Sequence, residues 1–100
     1  MEAVIKKLEE CNMARAKTKA ALLAAALNRS VMRHSLKEHY LAQMAAKGEK
    51  VTIARIDDLA VADKKYQDCC QAEVTTLLAD GQAEAAAQTA LCEYEVAMKS

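Results

Sequence analysis

Apolar residues recur along nearly the whole chain at intervals of three and four, the spacing of one face of an α-helix. At about 100° per residue, Val4, Leu8, Cys11, Leu22, Ala26, Leu36, Tyr40 and Met44 share one side of a segment from about Ala3 to Lys47. Ile56, Leu59, Cys70, Val74 and Leu77 do the same in a segment from Thr52 to Ala79. In a last segment, from about Gln82 to Met98, the shared side is Ala83, Ala87, Ala90, Leu91, Tyr94 and Met98, mostly small residues.

Punctuation divides these segments. Gly48 suits a helix C-terminus, with Lys47 placed favourably against the helix dipole. Thr52 suits an N-cap, with Asp57 and Asp58 close behind and Val51 able to staple against Ile56. Asp80-Gly81 reads as a second break, with Asp80 capping the last helix. With no Pro and only two Gly, the chain lacks the turn residues of a sheet protein.

The first segment poses a length problem. Forty-five helical residues would run about 68 Å, against a radius of gyration near 13 Å for an ordinary 100-residue domain. A coiled-coil register from Val4 would place Val4, Leu8, Cys11, Arg15, Thr18, Leu22, Ala25, Arg29, Met32, Leu36, His39 and Gln43 inside. Only seven of these twelve are apolar, too few for a sustained seam. Asn28-Arg29-Ser30 combines poor helix formers, and Ser35-Leu36-Lys37-Glu38 has the spacing of a capping box. The expectation is therefore an all-α fold: residues 1–100 as a single domain, a small bundle of three to four helices, with breaks near 28–35, 48–51 and 80–81. The alternative is a long helical hairpin with the last helix folded back.

Composition thins the expected core. The hydrophobic fraction is 53%, but 22 of those residues are Ala, and Leu, Ile, Val and Phe together number 19. There is no Phe or Trp, and there are three Tyr. Ala favours helix strongly and buries little, so local helicity outruns burial. Self-association is the natural remedy, and a two-fold homodimer is expected.

Charge then changes the picture. Residues 1–50 carry ten Lys/Arg against five Asp/Glu, while residues 51–100 carry four against nine, so a formal net charge of zero conceals two opposed halves. Between Cys11 and Lys47 there are seven basic residues, two His and one acid, Glu38. Arg15, Lys19, Arg29, Arg33 and Lys37 form a candidate partner-binding face, since Arg in particular recognises carboxylate and phosphate in bidentate fashion. The bland alternative is a solvated face, or one that pairs with the chain's own acidic half. Asp63 falls in the middle of an apolar face and is a candidate for a buried inter-helix ion pair, an arrangement that can fix register.

Several chemistries lack their residues. His34 and His39, five apart, point about 140° away from each other on a helix, and Cys69-Cys70 lacks metal-ligand spacing. No Walker loop, H-E-x-x-H, Glu-x-x-His or ordered nucleophile constellation is present. The four Cys read as reduced thiols packed as small hydrophobes, and Met13, Met32, Met44 and Met98 as core filling. No enzyme activity, cofactor or metal is expected. The longest apolar run, Ala20 to Leu27, is far short of the ~20 residues that span a bilayer, and no secretory signal is visible, so a cytoplasmic protein is expected.

The functional expectation is a small non-catalytic protein–protein interaction module of adaptor or inhibitor type. It would bind a macromolecular partner, a protein first of all and one with an acidic surface as an option, through the basic helical face. Two alternatives stand beside it: a nucleic-acid-binding regulator or accessory subunit of a nucleoprotein complex using the same face, and a structural assembly subunit.

Overall fold

The structure is a computed structural model and describes residues 1–99. It is all helical, with no strand among the described residues: α1 spans Glu2–Ala46, α2 Ile53–Ala62 and α3 Lys64–Lys99. The all-α class is as expected; two of the expected breaks are not where the sequence placed them.

α1 is continuous across residues 28–35. The reason lies in the heptad register that starts at Val4. Val4, Leu8, Cys11, Arg15, Thr18, Leu22, Ala25, Arg29, Met32 and Leu36 are all at least half-buried, so a heptad seam does run down this helix. Its polar members are matched across the seam, as described below. Asn28 and Ser30 lower helix propensity by only tenths of a kcal/mol each, less than the gain from an unbroken buried stripe. Beyond Leu36 the stripe continues as Tyr40 and Met44, four apart, and His39 and Gln43 turn outward.

α3 is likewise continuous, through Asp80-Gly81. Its inward positions are Tyr66, Cys69, Glu73, Thr76, Asp80, Ala83, Ala87, Ala90, Tyr94 and Ala97, again alternating three and four. Asp80 caps nothing; its carboxylate accepts a hydrogen bond from the Thr18 hydroxyl at 2.9 Å. Val74, Leu77, Leu91 and Met98, expected on buried faces, are exposed.

The chain breaks instead at Asp63. There φ −66° and ψ 135° leave the helical region, and the Asp63 N–H still donates to the Ala60 carbonyl, closing α2. The Asp63 carboxylate accepts from the Lys65 N–H at 2.8 Å and its carbonyl from the Gln67 N–H at 3.1 Å, which starts α3. The turn before α2 follows the sequence closely. Gly48 takes φ 70°; its N–H donates to Ala45 O and that of Glu49 to Met44 O, the paired bonds of a Schellman termination. The Thr52 hydroxyl accepts from the Arg55 N–H at 3.3 Å, the expected N-cap.

Contacts divide the chain into two compact units. The first joins Met1–Leu23 to the segment from Thr75 onward; the second is Ala24–Val74. In the first, Lys7 bridges Glu93, Arg15 bridges Glu84, and Thr18 bonds Asp80, so the two helical stretches run antiparallel. Its buried side chains, among the described residues, are small ones, Ala87 and Ala90. In the second, Leu36, Met44, Ile56 and Ala60 are buried where α1 meets α2.

Candidate interaction surface

The basic residues singled out in the sequence meet the chain's own acids. In the first unit Arg15 Nη2 lies 3.3 Å from Glu84 Oε1, while Lys19 is exposed. In the second, Arg29 Nε donates to Glu73 Oε2 at 2.8 Å. Arg33 donates to Asp57 Oδ1 through Nη2 at 2.6 Å and Nε at 3.1 Å, and Lys37 Nζ reaches the same oxygen at 3.2 Å. Four of the five candidates thus join the basic half to the acidic half within one chain, the alternative that the charge asymmetry also allowed. These pairs are about one-third exposed or more, so their net contribution is small; their effect is to select one register among sliding alternatives.

Titration follows from these contacts. The hydrogen bond to Glu73, then one to Tyr66, raises Arg29 further above its already high range. Arg33 is raised by Asp57. Asp57 in turn is held below its ordinary value, chiefly by Arg33 and then by Lys37.

Among the described residues Asp63 meets no cation in a buried ion pair. It is half-buried at the α2–α3 break, and the Tyr40 hydroxyl donates to its Oδ2 at 2.6 Å. That bond raises Tyr40 and, followed by the Lys65 N–H, lowers Asp63. A phenol fills the role expected of a cation, because Tyr40 replaces His39 on the inward face once the stripe shifts to a spacing of four.

Around Arg33 the charge is unevenly matched: Asp57 answers two cations with one carboxylate. Ser30, Arg33, His34 and Lys37 line a shallow recess of about 340 Å³ on this side of α1. His34 also lies 3.2 Å from Glu38, both well exposed. Next to the recess is an apolar groove of about 280 Å³, walled by Leu41, Val51, Ile53 and Ile56 and rimmed by His34, Lys37 and Glu38. Ile56 forms its buried floor, whereas Ile53 is 86% exposed. Val51 and Ile53 flank the Thr52 cap, so capping holds two apolar side chains outside the helix core. Ile53 belongs to none of the apolar faces read from the sequence; its signal is an apolar residue at the first position of a capped helix, off the buried face.

Among the described residues no group of three or more His, Cys, Asp or Glu side chains is placed to hold a metal ion, and no helix is long and apolar enough to cross a membrane. Cys11, Cys69, Cys70 and Cys92 are free thiols. The chain matches no protein-family model, no curated protein and no solved structure.

Proposed function

We propose that the protein is a non-catalytic interaction module of adaptor or inhibitor type, cytoplasmic and homodimeric, that docks an apolar side chain of an acidic protein partner in the groove at the α1–α2 corner. The observation that carries this reading is Ile53, held almost fully exposed over an apolar groove beside two cations that share one carboxylate. Large apolar side chains on rigid helical supports, next to unmatched charge, are the ingredients of an interface centre and its polar rim. Acidic groups on the partner would compete with Asp57 for Arg33 and Lys37. The basic face therefore enters through Arg33 and Lys37, while Arg15 and Arg29 serve the chain's own register.

The same in-chain pairing weighs against the nucleic-acid alternative, because cations already satisfied by Glu84, Glu73 and Asp57 release fewer counterions on meeting phosphate. Affinity capture of the tagged chain from its native lysate, with and without nuclease, tests the reading. One stoichiometric protein that survives nuclease and is lost with Ile53→Asp, at unchanged far-UV circular dichroism, supports it. Capture indifferent to Ile53→Asp overturns the groove, and partners that vanish with nuclease overturn the protein-partner reading.

A further inference from the structure

The recess beside the apolar groove is walled by side chains that can all donate hydrogen bonds. Ser30, Arg33, His34 and Lys37 line its space of about 340 Å³. They fall at i, i+3, i+4 and i+7, one face of a helix, and share it because α1 runs unbroken through residues 28–35. Among the described residues no acid stands in this wall. Asp57 answers from α2 and takes, through one oxygen, two of the five N–H donors of Arg33 and one of the three of Lys37. Glu38 pairs with His34 at 3.2 Å, but the two side chains are 70% and 76% exposed, so that contact is easily given up. Arg29, one turn before Arg33, is answered by Glu73. On α2, Asp58 is two positions from both buried Ile56 and Ala60 and so points away from α1, and Arg55 is exposed beside it.

Charge decides which anion the recess suits. A partner carboxylate brings the same single charge that Asp57 already offers, and so competes with it only on equal terms. A phosphate monoester brings about −1.5 to −2 at neutral pH and three strong acceptor oxygens. Those oxygens can take the Ser30 hydroxyl together with the Arg33 and Lys37 donors that Asp57 does not use. A nucleic-acid phosphodiester carries a single charge and no aliphatic side chain. The recess, by contrast, shares His34 and Lys37 with the groove walled by Leu41, Val51, Ile53 and Ile56. We infer that the recess receives a phosphorylated side chain of the partner protein, beside the apolar side chain that enters the groove. The inference deepens the proposed function by naming the partner's chemistry, and rests on that reading for the groove but not for the phosphate.

Inorganic phosphate is the first probe. In amide NMR titrations of the full chain at about pH 7.5 and constant ionic strength, phosphate should shift the Ser30–Lys37 amides saturably, with acetate and dimethyl phosphate weaker by about tenfold or more. Ser30→Asp places a carboxylate in the wall at an exposed position and should weaken phosphate by about tenfold or more at unchanged helicity. Asn28→Asp makes the same change of net charge about 200° round the helix, and should leave phosphate binding within about twofold. His34→Glu repeats the test should Ser30→Asp lose helix. Equal losses at Ser30 and Asn28, or phosphate bound no better than acetate, overturn the anion site. Peptides then identify the source. Phosphoserine peptides with a leucine two to four residues away should bind tighter than inorganic phosphate by about tenfold or more, a gain that Ile53→Asp removes. A peptide no tighter than phosphate, or one displaced by an equal concentration of single-stranded oligonucleotide, overturns the phosphorylated protein. A partner captured through Ile53 and still held after phosphatase treatment sinks the phosphate alone; phosphate binding without any captured protein sinks the partner reading alone.

Discussion

The two units solve the same problem with different side chains. In the first, two antiparallel helices meet through small residues, with Ala87 and Ala90 at 4% and 1% exposure. Close backbone approach is available there, but little apolar area is, and Lys7–Glu93, Arg15–Glu84 and Thr18–Asp80 hold the helices in step. In the second, α2 adds a third segment, and Leu36, Met44 and Ile56 are buried at the corner. Polar contacts persist there as Arg29–Glu73, Arg33–Asp57 and Tyr40–Asp63, but they surround a core of larger side chains. The lesson is that an alanine seam specifies a register without supplying much stability, while a short extra helix supplies burial that the seam lacks.

Truncation at the corner should break this comparison most sharply. Leu36→Ala is expected to cost about 2–4 kcal/mol in urea unfolding, since Leu36 is 5% exposed and its truncation leaves a cavity in the corner. Enlargement is the corresponding insult to the first unit: Ala90→Leu should cost about 1–3 kcal/mol by forcing the helices apart. Were Ala90→Leu neutral, the two helices would not be in close contact there and the contrast would fail.

A smaller effect, of opposite sign, is expected at Gly81. It sits inside α3 with ordinary helical geometry, and nothing lies within 4 Å of where a Cβ would be. Gly81→Ala should raise stability by about 0.5–1 kcal/mol, seen as a higher urea midpoint at unchanged slope. Destabilisation instead would mean that the helix needs a hinge at that point.

The smallest effect concerns pH and belongs to the second unit. Asp57 and Asp63 are both held below the ordinary 3.8, so the folded state binds their protons less readily than the unfolded chain does. Their contribution is complete above the unfolded value and is lost as pH falls through their lowered folded values. Thermal melts between about pH 6 and 2 should show a declining midpoint below about pH 4, and Asp63→Asn should flatten part of that decline. A decline of the same size in Asp63→Asn would remove Asp63 from the account. Because both carboxylates are partly exposed, salt should also blunt the effect.

Much of this was legible in the chain, and the two misplaced breaks show where legibility stops. Gly48 and Thr52 act through bonds to residues a few positions away, so their local signals were sufficient: φ 70° at Gly48 and the Thr52–Arg55 cap are both present. Asn28–Ser30 and Asp80-Gly81 carried equally plausible local signals and were overridden. Arg29 and Asp80 look like interruptions when read along one helix. Across the seam they meet Glu73 and Thr18, and the interruption becomes a matched layer. At Asp63 the reverse holds, since an apolar pattern ran on while the backbone turned, fixed by a carboxylate that accepts from Lys65 and Tyr40.

The same limit governs the candidate site. The sequence exposed the charge asymmetry but could not say whether Arg33 and Lys37 faced solvent, a partner or Asp57; the groove beside them exists only because α2 folds back on α1. By itself, then, the sequence determined the helical class, the turn at Gly48–Thr52, the thinness of the core and the opposition of basic and acidic halves, because each depends on composition or on neighbours in the chain. Tertiary structure decided which polar residues count as seam and which as surface, because a charge on an inward face is a defect or a register pin according to what stands opposite, and that residue lies 44 to 69 positions away.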